Sequence, residues 1–147
     1  MKINLTQSSF IKMLCAALLT VAASGYAAET DAGAEKAATA AAQTWLATID
    51  HGDYAQSWQE ASALFRSAIT ADKWKSSLET VRQPLGELTS RKVKKVQAAT
   101  SLPGAPDGHY MVMQFNTSFA NKKSAVETVT FMLEKDGQWR AAGYYIN

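Results

Sequence analysis

The feature that most constrains this chain is Asp136-Gly137, set between two β-rich runs in the stretch Val126 to Asn147. A two-residue type I′ turn needs φ > 0 at both central residues, and Asp-Gly tolerates that, so the pair predicts a hairpin. With a loop of those two residues, the register follows by counting outward. Leu133 is then opposite Arg140, Phe131 opposite Ala142, Val129 opposite Tyr144 and Glu127 opposite Ile146. The other face carries Glu134 with Trp139, Met132 with Ala141, Thr130 with Gly143 and Thr128 with Tyr145. The first face is the more continuously apolar and is the expected core side, which upstream elements have to cover.

Upstream, the spacing predicts three helices. Residues 29–42 are rich in alanine, a strong helix former, and Ala38, Ala41, Ala42, Trp45, Leu46 and Ile49 keep helical spacing. Gly52 is placed to end this helix in the left-handed conformation, with His51 in the last turn. Asp53 and Gln56 then have capping-box spacing, and Tyr54, Trp58, Ala61, Phe65 and Ile69 form one continuous stripe. Thr70 caps a third helix carrying Trp74, Leu78, Val81 and Leu85, which Pro84 and Gly86 stop near Gln83.

From Leu88 the pattern turns to strands. In Leu88–Thr100, Val93 and Val96 differ in parity, which predicts a bulge or an exposed edge. Leu102–Gly108 is a turn cluster with two prolines, and Tyr110–Phe119 is a strand with Met111, Met113, Phe115 and Phe119 on one side. Asn121–Ser124 turns into the closing hairpin. The expected fold is α+β, three N-terminal helices packed on a curved four-stranded antiparallel meander.

The 147 residues are too few for two ordinary domains. Lys2 and Lys12 precede the apolar run Met13–Ala23, and Gly25-Tyr26-Ala27 offers small residues at a cleavage site. Residues 1–27 therefore read as a secretory signal peptide, leaving 28–147 as one domain in the periplasm or outside the cell. Cys15 lies inside the apolar run rather than after it, so no lipid anchor is expected, and its removal leaves a chain without thiols. Taking Lys2 and Lys12 from the 15 basic residues leaves 13 against 13 acidic ones. A neutral domain has no global attraction for nucleic acid or an anionic membrane, and no membrane span is expected in the mature form.

The segments AAQTWLATIDHGDYAQSW, SALFR, VRQPLGELTSRKV, LPGAPDGHYMVMQFNTSFANK and VETVTFMLEKDGQWRAAGYYI together resemble a family of exported bacterial proteins, domain of unknown function 4019. The resemblance runs from about Ala37 to the end. It brings no established reaction and no catalytic residues. Helices before a sheet that ends in DG-x-W…G-Y also look like the nuclear-transport-factor-two-like superfamily and the related cystatin-like arrangement. That likeness implies a cone of helices across a concave sheet, a scaffold that hosts both enzymes and binding modules.

The chemistry-bearing residues are sparse. His51 and His109 have no metal-ligand spacing between them, so no metal site is expected. No nucleophile elbow, phosphate loop or dinucleotide fingerprint is present, and no cofactor is implied. Arg91, Lys92, Lys94 and Lys95 form a basic run, read as lysines guarding a solvated edge strand. Glu127 and Arg140 are charges on the expected core face, which Arg82 and Arg91 could approach, and a structural ion pair is the favoured reading. The tryptophans of the helical stripes read first as core anchors. Trp45, Trp58, Arg91, Glu127 and Tyr144 are the candidate ligand-binding residues of a helix–sheet cleft. Met132, Trp139 and Tyr145 make the second sheet face apolar and are the candidate interface, for example in a homodimer. The expected function is a non-catalytic binding or interaction module for a small molecule or a periplasmic protein. The alternative is a small enzyme using Glu127 in the cleft.

Overall fold

The structure, a computed structural model, describes residues 31–147, and the compact unit that carries the fold is Glu35–Asn147. The expected signal peptide and its cleavage site lie outside the described residues. No described helix is long and apolar enough to cross a membrane.

The first helix, α1, runs through residues 31–50. It ends in a Schellman motif: Asp53 N donates to Thr48 O at 3.1 Å and Gly52 N to Ile49 O at 3.0 Å, with Gly52 at φ +83 as expected. That motif draws in the Asp53 backbone. Asp53 therefore has φ −80 and ψ 58 and makes no side-chain cap to α2, Tyr54–Glu60. The expected capping box does not form, and the Gln56 amide donates to Glu60 instead, at 2.7 Å.

The second expected helix is two. After α2 the chain extends at Ala61, and Ser62 caps a new helix, α3, Ala63–Ala68, by accepting from Phe65 N. The break is fixed from outside, because Ser62 N donates to Ala141 O at 2.9 Å. Among the described residues the fold thus has four α-helices rather than three. The fourth, α4, spans Ala71–Arg82 with Thr70 as its N-cap, and a 3-10 turn, Gln83–Leu85, closes it around Pro84.

The strands are β1 (Leu88–Ala99), β2 (Tyr110–Phe119), β3 (Ala125–Leu133) and β4 (Trp139–Ile146). They form an antiparallel meander in the order β1-β2-β3-β4. A register shift between Val93 and Lys95 lets Val93 pair with Phe115 and Val96 with Met113, so both face the helices despite their unlike parity. Phe115 is 1% exposed but Val93 is 45% exposed. The helix layer therefore covers β2 to β4, and β1 runs past it as an edge.

The hairpin departs from its expected turn. Only Gly137 has positive φ there, at +79. Gly137 N donates to Glu134 O at 2.9 Å and Glu134 N to Gln138 O at 3.0 Å. This is a three-residue loop, a turn followed by a left-handed glycine. It shifts the register by one, so Leu133 meets Trp139, Met132 meets Arg140 and Phe131 meets Ala141. An extra residue, Ala142, then restores the expected pairs Thr130–Gly143, Val129–Tyr144 and Glu127–Ile146. The consequence is local and large. Glu127, Val129 and Phe131 are inside, as expected. Trp139 shares the inner face with Phe131 and leaves the outer interface proposed for it. Arg140 moves out to bind Glu134 at 2.6 Å and Asp136 at 2.7 Å.

On the outer face Tyr110 is 1% exposed because the Leu102–Gly108 loop folds over it, and its hydroxyl donates to Pro106 O at 2.6 Å. Met132 pairs with Tyr110 and is half-buried, while Tyr145 is 63% exposed.

Candidate functional site

The core between helices and sheet holds an aromatic group. Trp45 of α1 stacks on Trp74 of α4 at 5.9 Å and meets Phe131 and Tyr144 edge-on at 6.0 Å. Ser57 organises the two indoles: Trp45 Nε1 donates to its carbonyl at 2.8 Å, and Trp74 Nε1 to its hydroxyl at 3.0 Å. Trp58 stands apart. It is half-buried, and its indole donates to Ile69 O at 2.8 Å.

Beside the aromatic group lies a buried ion cluster. Glu127 is 0% exposed and its carboxylate accepts from five donors. To Oε1 come Arg82 Nη1 at 3.1 Å, Arg91 Nη2 at 3.1 Å and Tyr144 OH at 2.8 Å. To Oε2 come Arg91 Nε at 2.6 Å and Thr117 Oγ1 at 2.7 Å. Asp50, from the end of α1, binds Arg82 at 2.5 Å and Arg91 at 2.6 and 2.9 Å. The Arg82 guanidinium also lies 4.7 Å over the Phe119 ring.

Two carboxylates thus face two guanidiniums, and no buried side-chain polar atom among the described residues lacks a partner. Burial pushes the Asp50 carboxyl up, but hydrogen bonds and charge from Arg91 and Arg82 outweigh it and hold the group below its ordinary 3.8. Burial and the Glu127 charge push the Tyr144 phenol well above its ordinary 10.0. Arg91 stays protonated: burial opposes its charge, and Asp50 and Glu127 more than compensate. Chemically the cluster is closed. Every lone pair a general base would need on Glu127 already faces a donor.

Of the sequence-predicted ligand residues, the structure joins Arg91, Glu127 and Tyr144 in this cluster and sets Trp45 against Tyr144. Arg91 belongs to the cluster and not to the solvated basic edge, which keeps Lys92, Lys94 and Lys95. Sequence reasoning missed Asp50 and Thr117. Each had a signal: a carboxylate at a helix C-terminus opposes the helix dipole, and a threonine interrupts the apolar side of β2. His51 and His109 are both exposed. Among the described residues no group of three His, Cys, Asp or Glu side chains is arranged to hold a metal ion.

At the turn end of the hairpin, the same helix–sheet seam opens into a groove of about 460 Å³. Ala41, Thr44 and Trp45 of α1 line one side, Phe131 and Trp139 the other, with Glu60, Gln138 and Arg140 at the rim. Trp139 is half-buried here, so part of its ring faces the opening.

No curated protein matches this chain, and no solved structure does. Residues 41–144 match the family described as a protein of unknown function, DUF4019. The matched span starts inside α1 and ends at Tyr144, taking in the whole ion cluster and both tryptophans of the groove. This chain, from its buried carboxylates to its bulged last strand, belongs to the DUF4019 family of proteins of unknown function.

Proposed function

We propose that the protein is an exported, non-catalytic binding or interaction module whose site is the open groove between α1 and the turn end of the hairpin. One observation carries this reading: the buried polar group around Glu127 is neutral and fully hydrogen-bonded, whereas the groove leaves part of the Trp139 ring uncovered. A saturated cluster holds a shape, and a half-exposed tryptophan beside a concave seam is the kind of surface that holds a ligand. The address in the periplasm is supported by the basic, apolar and small-residue order of residues 1–27.

Ligand binding to the native state raises its melting temperature. Fractionated small-molecule extract of the periplasm is expected to contain a component that raises the melting temperature of the native protein and not of Trp139→Ala. If Trp139→Ala responds equally, the groove is not the site. Mass spectrometry of the exported protein should find an N-terminus at Ala28, and an intact Met1 would overturn the address.

A further inference from the structure

The chemistry around the groove narrows the class of ligand. Glu60 stands on its rim, at the end of α2, and accepts only from the neutral donors Gln56 at 2.7 Å and Thr48 at 3.5 Å. Among the described residues it has no basic partner. The basic group at the rim, Arg140, is held by two carboxylates, Glu134 and Asp136. The lining thus holds one acid and one base, but the base is engaged by carboxylates outside the lining, which leaves Glu60 as the charge without an ionic partner, across from the half-buried Trp139.

Glu60 is exposed and solvated, so a neutral ligand gains nothing from its charge, and an anion is repelled by it. An ammonium group answers both features: it attracts the carboxylate, and it is attracted to the face of an indole. Bulges re-aim side chains near functional sites, and the one at Ala142, together with the three-residue loop, moves Trp139 from the outer face to the groove. We infer that the groove binds a small primary alkylammonium compound, its stem against Trp139 and its ammonium at Glu60. This rests on the groove being the binding site.

Three probes of equal length separate charge from shape: n-hexylammonium, n-hexanol and n-hexanoate, each titrated into the full exported protein while the Trp139 indole N–H is followed by NMR. Hexylammonium should bind about tenfold tighter than hexanol, and hexanoate weakest, with the preference shrinking as salt is raised. Glu60→Gln, at an exposed position, should abolish the preference for the ammonium and leave hexanol binding unchanged. Trp139→Ala should weaken hexanol and hexylammonium alike, followed then by the Trp45 indole. If hexanol and hexylammonium bind equally in the native protein, the inference fails and the groove stands as a binding site. If none of the three shifts either indole, the groove reading fails with it.

Discussion

The two ends of the β3–β4 hairpin face the same helix layer, and they are built on opposite terms. At the Glu127–Ile146 end, buried charges meet partners from α1, α4, β1 and β2, and all of them are consumed internally. At the Leu133–Trp139 end, the half-buried Trp139 and the exposed Glu60, a carboxylate without an ionic partner among the described residues, border an opening. The difference teaches where polarity in a small core goes when it is structural. A charge taken out of water has to be matched by protein, so it recruits elements from across the chain. A charge left at a rim stays in water and needs only local partners, as Glu60 has in Gln56 and Thr48.

The comparison breaks first where the closed end is opened. Glu127→Ala strands two guanidiniums against one carboxylate and should destabilise the fold by about 3–5 kcal/mol, read by urea denaturation. An effect below about 1 kcal/mol would mean that the cluster is wetter than its exposure indicates. Glu127→Gln keeps the shape but not the charge, and about 1–3 kcal/mol is expected. Tyr144→Phe removes one of five donors and should cost about 1 kcal/mol.

The same contrast has a pH signature. The Asp50 carboxyl is held below its ordinary value, so its contribution is complete above pH 3.8 and is lost as pH falls through the folded value. The Tyr144 phenol is held above its ordinary value, so its contribution is complete below pH 10.0 and is lost as pH rises beyond it. Stability should therefore fall on both sides, and Tyr144→Phe should flatten only the alkaline side. At the open end the stability effects are smallest. Trp139→Ala should cost about 1 kcal/mol, because part of the ring is already in water, while removing ligand binding. Glu60→Gln should leave the melting temperature nearly unchanged, and a large shift would show that Glu60 is committed to the fold.

The sequence carried the coarse plan because the plan rests on local patterns. The end of α1 was legible in Gly52, and β2 appears with the bounds that its alternation and the flanking turn cluster predict. The α2–α3 break was hidden, because the apolar stripe from Tyr54 to Ile69 is continuous while the interruption depends on Ser62 N reaching Ala141, far along the chain. The hairpin was half legible. Asp-Gly suits both a two-residue turn and a three-residue loop with a left-handed glycine, and the two differ by one register step. The pairs beyond Ala142 came out as expected, since the bulge cancels the step, and Trp139 did not. Of the cluster, Arg82, Arg91 and Glu127 could be suspected from charges near a core face. Asp50 and Thr117 could not be joined to them by counting, because a network spanning six elements has no sequence period.

The ion cluster also bears on how much of the chain a balanced core requires. Arg82 and Arg91 precede Glu127 by 45 and 36 residues. Of the cluster's two carboxylates, a chain that ends with β2 holds only Asp50, against both guanidiniums. A helix layer packed on such a chain would leave a buried cation unmatched. The carboxylate that faces both guanidiniums thus sits in a late strand, so the charge balance of the core is complete only in a chain that includes β3.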